Sequence, residues 1–219
     1  MSAEGRLGPM RGLRVGDGTA DCTIKCKGDE YRVHKSVLTA QGNYFANMFK
    51  EMKENFTGVI VLDHEDRESV RCLIQFFYKY KYETDVQPFQ VPDGMEDPIE
   101  RPEGFVGRCN QHVLVYALAD KCQLDHFKRL VLGEFVNDLA AREPHIWDIL
   151  LAIEPVYTLI PRRDRMLRDC VVLFLTERPE LTQLDLVQEI LHGRNKLAYD
   201  LTVAWWDKAE SFAYTQPPA

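Results

Sequence analysis

The chain has 219 residues, of which 45% are apolar and 28% are charged, and its formal net charge is -7. This length and composition predict a globular protein of one domain, or one domain with an appendage, and the acidic balance argues against nucleic-acid binding through a broad basic face. No apolar run approaches signal-peptide or membrane-span length, so we expect a cytoplasmic or nuclear protein that binds no membrane.

The six cysteines are scattered along the chain, several of them within apolar periodic segments. This distribution is typical of buried free thiols. Cys22 and Cys26 are close enough to share one face of a strand, but no second cysteine pair or histidine pair completes a zinc tetrahedron. We therefore expect no metal and no cofactor.

The first strands are predicted after a flexible arm. Residues 1–20 are rich in glycine and have little apolar periodicity, which indicates the arm. From Asp21 the stretch "DCTIKC" alternates, with Cys22, Ile24 and Cys26 on one face, and "YRV" alternates again after a turn. This pattern predicts a β-hairpin.

The apolar period then changes from two to about 3.6. The spacing predicts two short helices broken near Gly42 and Asn43, then a third strand in "TGVIVL", whose continuous apolar character predicts that both of its faces are covered. A clear amphipathic helix follows in "DRESVRCLIQFFYKY", with Asp66 or Ser69 as its cap.

Residues 83–110 break this periodicity. Four prolines, three glycines and an acidic bias predict an exposed, mostly disordered insertion. From Gln111 onward the chain reads as a series of helices, and the prolines are expected to mark where helices stop or start. These prolines are Pro144, Pro155, Pro161 and Pro179.

Three blocks carry a resemblance to a known family: "DCTIKCKGDEYRVHKSVLTAQGNYFANMF", "GVIVLDHEDRESVRCLIQFFYKYKY" and "HVLVYALADKCQLDHFKRL". In this order they resemble the BTB/POZ domain family, most of all its stand-alone fungal members. The resemblance implies an α+β fold, with a small mixed sheet flanked by short helices and an all-helical C-terminal extension. From this resemblance, together with the composition and periodicity, we expect the domain at residues 21–139 with the insertion at 83–110, the helical extension at 140–206 and a tail at 207–219.

The same resemblance bears on the pair His34 and Lys35, which by residue type alone also suggests acid–base chemistry. It implies that Asp21, His34 and Lys35 belong to a strand-to-helix junction and to the polar floor of a partner-binding groove. An enzyme using His34 with Asp21 or Lys35 is the rival interpretation, but it lacks a nucleophile and an oxyanion partner at useful spacing. We expect no enzyme, with His34 hydrogen-bonded at the start of the first helix.

A second candidate site follows the second short helix. Family members that act as adaptors for cullin-type ubiquitin ligases resemble one another in a hydrophobic-x-Glu tripeptide, and Met52-Lys53-Glu54 matches it. Phe49-Lys50-Glu51 has the same form but lies nearer the helix. An amphipathic helix end with a solvated glutamate is the alternative explanation for either match.

The resemblance implies protein partners. The function expected from it is a protein–protein interaction module that acts as a substrate adaptor for a cullin-RING ubiquitin ligase. The alternatives are a self-associating scaffold and a transcription-related regulator without a ligase role. Because the N-terminal arm is shorter than the segment that self-associating members exchange, we expect a weak homodimer.

Two further features of the helical extension have competing interpretations. The run Arg162, Arg163, Asp164 and Arg165 suggests a phosphate-binding or acidic-peptide-binding patch, but an exposed helix start is our interpretation. Trp205 and Trp206 are adjacent and cannot both face one core on a helix. One of them is therefore expected to be exposed.

Overall fold

The computed structural model describes residues 14–51, 58–87, 105–140, 146–193 and 195–215. The chain forms two compact units, the first comprising residues 1–87 and 114–134 and the second residues 88–113 and 135–219. No helix within the described ranges is both long enough and apolar enough to cross a membrane.

Three strands and a series of helices make up the described part of the chain. In order they are β1 (Cys22–Cys26), β2 (Asp29–Val33), α1 (Lys35–Gln41), α2 (Asn43–Glu51), β3 (Val59–Val61), α3 (Arg67–Lys79), α4 (Arg108–Lys121), α5 (Asp125–Leu139), α6 (Ile146–Thr158), α7 (Met166–Glu177), a 3-10 helix (Pro179–Gln183), α8 (Asp185–Gly193) and α9 (Asn195–Thr215). This is the predicted α+β architecture, with a helical C-terminal region.

The sheet has the order β2-β1-β3. Strands β1 and β2 form the predicted antiparallel hairpin, in which Ile24 lies opposite Tyr31. Lys27 and Gly28 both have positive φ, the geometry of the tight two-residue turn that suits the strand twist. Strand β3 pairs in parallel with β1, with Ile60 beside Ile24.

One face of strand β3 is more exposed than the sequence predicted. Ile60 is 1% exposed, whereas Val61 is 59% exposed. The prediction that both faces are covered was wrong, because only one face of this three-residue strand lies on the core. A continuous apolar run does not distinguish this arrangement from a fully buried strand.

The core of the first unit is built from aromatic side chains. Phe76 of α3 stacks on Phe127 of α5 with ring centroids 4.3 Å apart, and Phe77 meets Phe45 of α2 edge-on at 5.4 Å. The Asp66 carboxylate caps α3 as predicted, accepting a 2.8 Å hydrogen bond from the backbone N–H of Ser69.

The described part of the second unit is helical apart from its connections, and α9 packs on both α7 and α8. Two predictions about helix ends were wrong. Pro155 lies inside α6, whereas we expected it to end a helix. Helix α9 continues to Thr215, so residues 207–215 of the predicted tail are helical. The stretch "DKAESFAY" holds several good helix formers and neither Gly nor Pro, which explains the continuation.

The unit boundaries run through α4 and α5. The sequence placed the end of the first domain at residue 139, which is the last residue of α5 and not a boundary between the two units. A boundary inside a continuous helix leaves no change of composition or periodicity in the sequence. Within the predicted insertion, helix α4 already begins at Arg108, and residues 88–104 lie outside the described residues.

Candidate functional site

The first predicted site lies where β2 ends and α1 begins. His34 is the N-cap residue of α1, and its carbonyl accepts hydrogen bonds from the backbone N–H groups of Val37 and Leu38. Its side chain does not cap the helix. That role belongs to Asp21, whose carboxylate accepts a 2.8 Å hydrogen bond from the backbone N–H of Lys35. The structure thus brings together the three residues that the sequence assigned to this junction.

The imidazole of His34 is held on both sides. It is 4% exposed. Its Nδ1 lies 2.9 Å from the Tyr78 hydroxyl, which also accepts a hydrogen bond from the His34 backbone N–H. Its Nε2 lies 2.9 Å from the Thr19 hydroxyl and 3.0 Å from the Asp17 carboxylate. Because both nitrogens have partners within the chain, the ring serves to position the junction.

This burial bears on the prediction that His34 contacts a partner. The ring is covered and its hydrogen bonds are internal, so it is not available for direct contact. Asp21 is exposed and Lys35 is half-buried, with its Nζ 5.5 Å from the centroid of the Phe49 ring. These two side chains lie nearer the surface than His34 does.

Residues 14–20, which we predicted as part of a flexible arm, make defined contacts at this junction. The Asp17 carboxylate accepts hydrogen bonds from the Thr19 hydroxyl and from the backbone N–H groups of Arg14 and Thr19. These bonds, chiefly that of the Thr19 side chain, hold the pKa of Asp17 well below its usual range. The Gly16 N–H donates to the Arg32 carbonyl at 2.9 Å. The Asp-x-Thr pattern at Asp17 to Thr19 is the local sequence signal for such a hydrogen-bonded turn.

A cavity of about 630 Å³ adjoins the junction through Tyr78. Its wall combines apolar and aromatic side chains with three cations. The lining residues are Arg14, Val15, Tyr31, Arg71, Ile74, Gln75, Tyr78 and Lys79. No carboxylate is among these lining residues, although Arg71 pairs with Glu68 and Asp85 beside them. Such a wall suits a ligand that is apolar and negatively charged.

Sequence reasoning missed Tyr78. It is separated from His34 by 44 residues, and it belongs to the run "FFYKY", where any aromatic residue fits an amphipathic helix. Nothing in the neighbouring sequence indicates that its hydroxyl contacts His34.

The second predicted site, Met52-Lys53-Glu54, lies outside the described residues. The rival tripeptide begins within α2. Phe49 is 8% exposed and belongs to the core, which leaves it unavailable as the hydrophobic contact of a surface motif.

Comparison with known proteins identifies one segment of the chain, because residues 11–91 match the model of the BTB/POZ domain. This segment is a BTB/POZ domain. It contains the sheet, helices α1 to α3 and the junction around His34. BTB/POZ domains mediate protein–protein interactions, so the coarse prediction of an interaction module is confirmed, together with the α+β fold.

Two curated relatives match part of the chain. The BTB/POZ and MATH domain-containing protein 6 of Arabidopsis thaliana is 33% identical over 70 residues, which cover 32% of this chain and 17% of that protein. The zinc finger protein chinmo of Drosophila melanogaster is 32% identical over 63 residues, 29% of this chain and 10% of that protein. The matches thus span less than a fifth of either relative. They come from a plant and an insect, whereas the sequence suggested the stand-alone fungal type.

Proposed function

We propose that this chain is a substrate adaptor that binds a cullin-type scaffold through its BTB/POZ domain and recruits a further protein. The observation that carries the proposal is the BTB/POZ domain at residues 11–91, because this fold is used for protein–protein contact. The buried, internally bonded His34 supports a binding role over catalysis, since both of its ring nitrogens are engaged within the chain.

Met52 and Glu54 are the proposed cullin contacts, with Lys53 between them. Burying a methionine side chain in an apolar cleft contributes about 1.5–3 kcal/mol, and a charge-assisted hydrogen bond from Glu54 adds about 1.5–3 kcal/mol. The core position of Phe49 supports this assignment over the rival tripeptide.

The junction and its neighbouring cavity are proposed as a second contact area. Asp21 and Lys35 offer charged groups at the junction, and His34 fixes the backbone beneath them. In the cavity, Arg14 and Lys79 lie beside apolar groups such as Ile74. Charge complementarity favours a partner segment that carries both apolar and acidic side chains.

The test is capture of a purified cullin by the full chain. The double variant Met52→Ala with Glu54→Ala is expected to abolish capture while leaving the thermal midpoint nearly unchanged, because neither residue is proposed to belong to the core. Lys50→Ala is the matched control, since this exposed residue lies in the last turn of α2 and should leave capture intact.

Two results would contradict the adaptor proposal. If the unmodified chain captures no cullin, the ligase role fails and the general interaction module remains. If the double variant unfolds, Met52 is a core residue and the motif is an accident of the helix end.

A further inference from the structure

A second cavity, within the helical unit, has an excess of positive charge in its lining. It measures about 320 Å³ and lies among the residues that precede and begin α7 and the first two turns of α9. Its charged lining consists of Arg162, Arg165, Arg168, Lys196 and Asp200. Four cations therefore face one carboxylate.

That carboxylate is already engaged by two neighbours. The Tyr157 hydroxyl donates a 2.8 Å hydrogen bond to one oxygen of Asp200, and Arg165 lies 3.3 Å from the other oxygen. Arg165 also pairs with Asp169 at 3.0 Å. Arg165 is thus shared between Asp200 and Asp169, whereas Arg162, Arg168 and Lys196 form no ion pair with a described residue.

Arg168 is buried, whereas Arg162 and Lys196 are exposed. It is 5% exposed, and its guanidinium donates to the carbonyls of Ile160 at 2.7 Å and Arg162 at 3.1 Å. Its Nε is buried without a hydrogen-bond partner, and no carboxylate of the described residues pairs with it. The face of the Tyr157 ring, 5.3 Å away, supplies a partial compensation.

A buried cation without a counter-charge is costly, and proteins normally pair such a group or bind an anion against it. Arg162 and Lys196 add two exposed cations at the same cavity, neither of them in an ion pair with a described residue. The three charges therefore converge on space that is open to a small ligand.

We propose that this cavity binds a small phosphorylated molecule, with its phosphoryl group facing Arg162, Arg168 and Lys196. A phosphate monoester carries a charge of about -1.5 to -2 at neutral pH, which suits three cations without an ion-pair partner better than a single carboxylate does. Arginine also presents a planar donor fork suited to phosphoryl oxygens. Tyr199, which is 68% exposed and lines the same cavity, offers a ring face to the organic part of the ligand.

The structure also divides the charged run that precedes α7. Arg162 and Arg165 line the cavity, whereas Arg163 is exposed and is not part of the lining. Arg163 is therefore a control of the same residue type, one position away from Arg162. This proposal concerns the helical unit and does not depend on cullin binding.

The experiment is isothermal titration calorimetry of the full chain with pyrophosphate as the probe and succinate as a dicarboxylate comparator, at constant ionic strength. Pyrophosphate is expected to bind about tenfold or more tighter than succinate. Arg162→Gln and Lys196→Gln should each weaken pyrophosphate binding by about tenfold, as expected for one lost charge-assisted contact. Arg163→Gln removes the same charge as Arg162→Gln and should change the affinity by less than about twofold.

Three results would overturn the proposal. The first is no detectable binding of pyrophosphate at about 10 mM, a concentration that reveals even weak sites. The second is an equal loss from Arg163→Gln and Arg162→Gln, which would indicate diffuse attraction to a basic surface. The third is tighter binding of succinate than of pyrophosphate, which would assign the cavity to carboxylates.

Discussion

The hydroxyl of Tyr78 lies 2.9 Å from both the backbone nitrogen and the Nδ1 atom of His34. The backbone N–H donates to the hydroxyl oxygen. The Asp17 carboxylate can only accept, so the Nε2 atom, which lies 3.0 Å from it, carries a hydrogen. One tyrosine thus holds both the backbone and the ring of His34 at the start of α1.

Tyr78→Phe is expected to destabilise the protein by about 1–3 kcal/mol, because it leaves a backbone N–H and a ring nitrogen of His34 without their partner. Urea denaturation followed by circular dichroism measures this loss. Tyr199→Phe is the control, since the Tyr199 side chain is exposed and its hydroxyl makes no hydrogen bond with a described residue. Equal stability of Tyr78→Phe and the unmodified protein would show that the hydroxyl is dispensable.

Asp17 should contribute to stability in a pH-dependent way. Its pKa is depressed in the folded chain, chiefly by the Thr19 side chain and the backbone N–H of Arg14. The contribution is therefore complete above the ordinary carboxyl pKa of about 3.9 and is lost as the pH falls below it. Asp17→Asn should lower the thermal midpoint at about pH 6, and the difference from the unmodified protein should shrink toward about pH 2.5.

Asp207→Asn is the control for this titration, because Asp207 is exposed and makes no hydrogen bond with a described residue. It should follow the unmodified protein at every pH. A gap between Asp17→Asn and the unmodified protein that stays constant across the acid range would contradict the prediction.

The thiols should differ in reactivity. Burial raises the pKa of Cys22 to about 11 and the pKa values of Cys72 and Cys122 to about 12. Burial also raises the pKa of Cys170, but this residue is half-buried, whereas the other five cysteines are buried. With a disulfide reagent at about pH 8, the folded protein should therefore show at most one reacting thiol on the time scale of minutes, and all six in denaturant. Cys170→Ser should remove the fast phase, and a fast phase that survives in this variant would mean that a buried thiol is accessible.

Self-association is expected to be weak. BTB/POZ domains mediate dimerisation, but here residues 14–20 are bound to their own chain. The Gly16 N–H donates to Arg32, and Asp17 lies against His34. A segment held in this way has less tendency to exchange between two copies. Light scattering over a dilution series should show a mass that rises with concentration, whereas a monomer at every concentration would rule out the dimer.

Local patterns predicted much of the first unit. The alternation around Ile24 predicted the hairpin, and Asp66 with the apolar period after it predicted α3 and its cap. The resemblance correctly assigned Asp21, His34 and Lys35 to one junction. These features depend on neighbours in sequence, or on motifs long enough to identify the family.

The rest depends on tertiary contacts that leave no local signal. Tyr78 reaches His34 across 44 residues, and Arg168 lacks a carboxylate partner only because of what the fold brings around it. Proline normally ends a helix, but Pro155 lies within the last turns of α6, where Val156 and Tyr157 remain buried.

Trp205 and Trp206 are 37% and 67% exposed, so the prediction of an exposed tryptophan was confirmed, but the sequence did not reveal which one is more exposed.

The order of the sheet has a consequence for how the first unit folds. The β1–β2 hairpin closes through a two-residue turn, whereas β1 pairs with β3 only after Thr23 and Val59 have been brought together. Closing the longer loop costs more chain entropy, so we expect the hairpin to form first. Helices α1 and α2 lie inside that loop. Their packing shortens the effective loop, and we expect the third strand to join the sheet last.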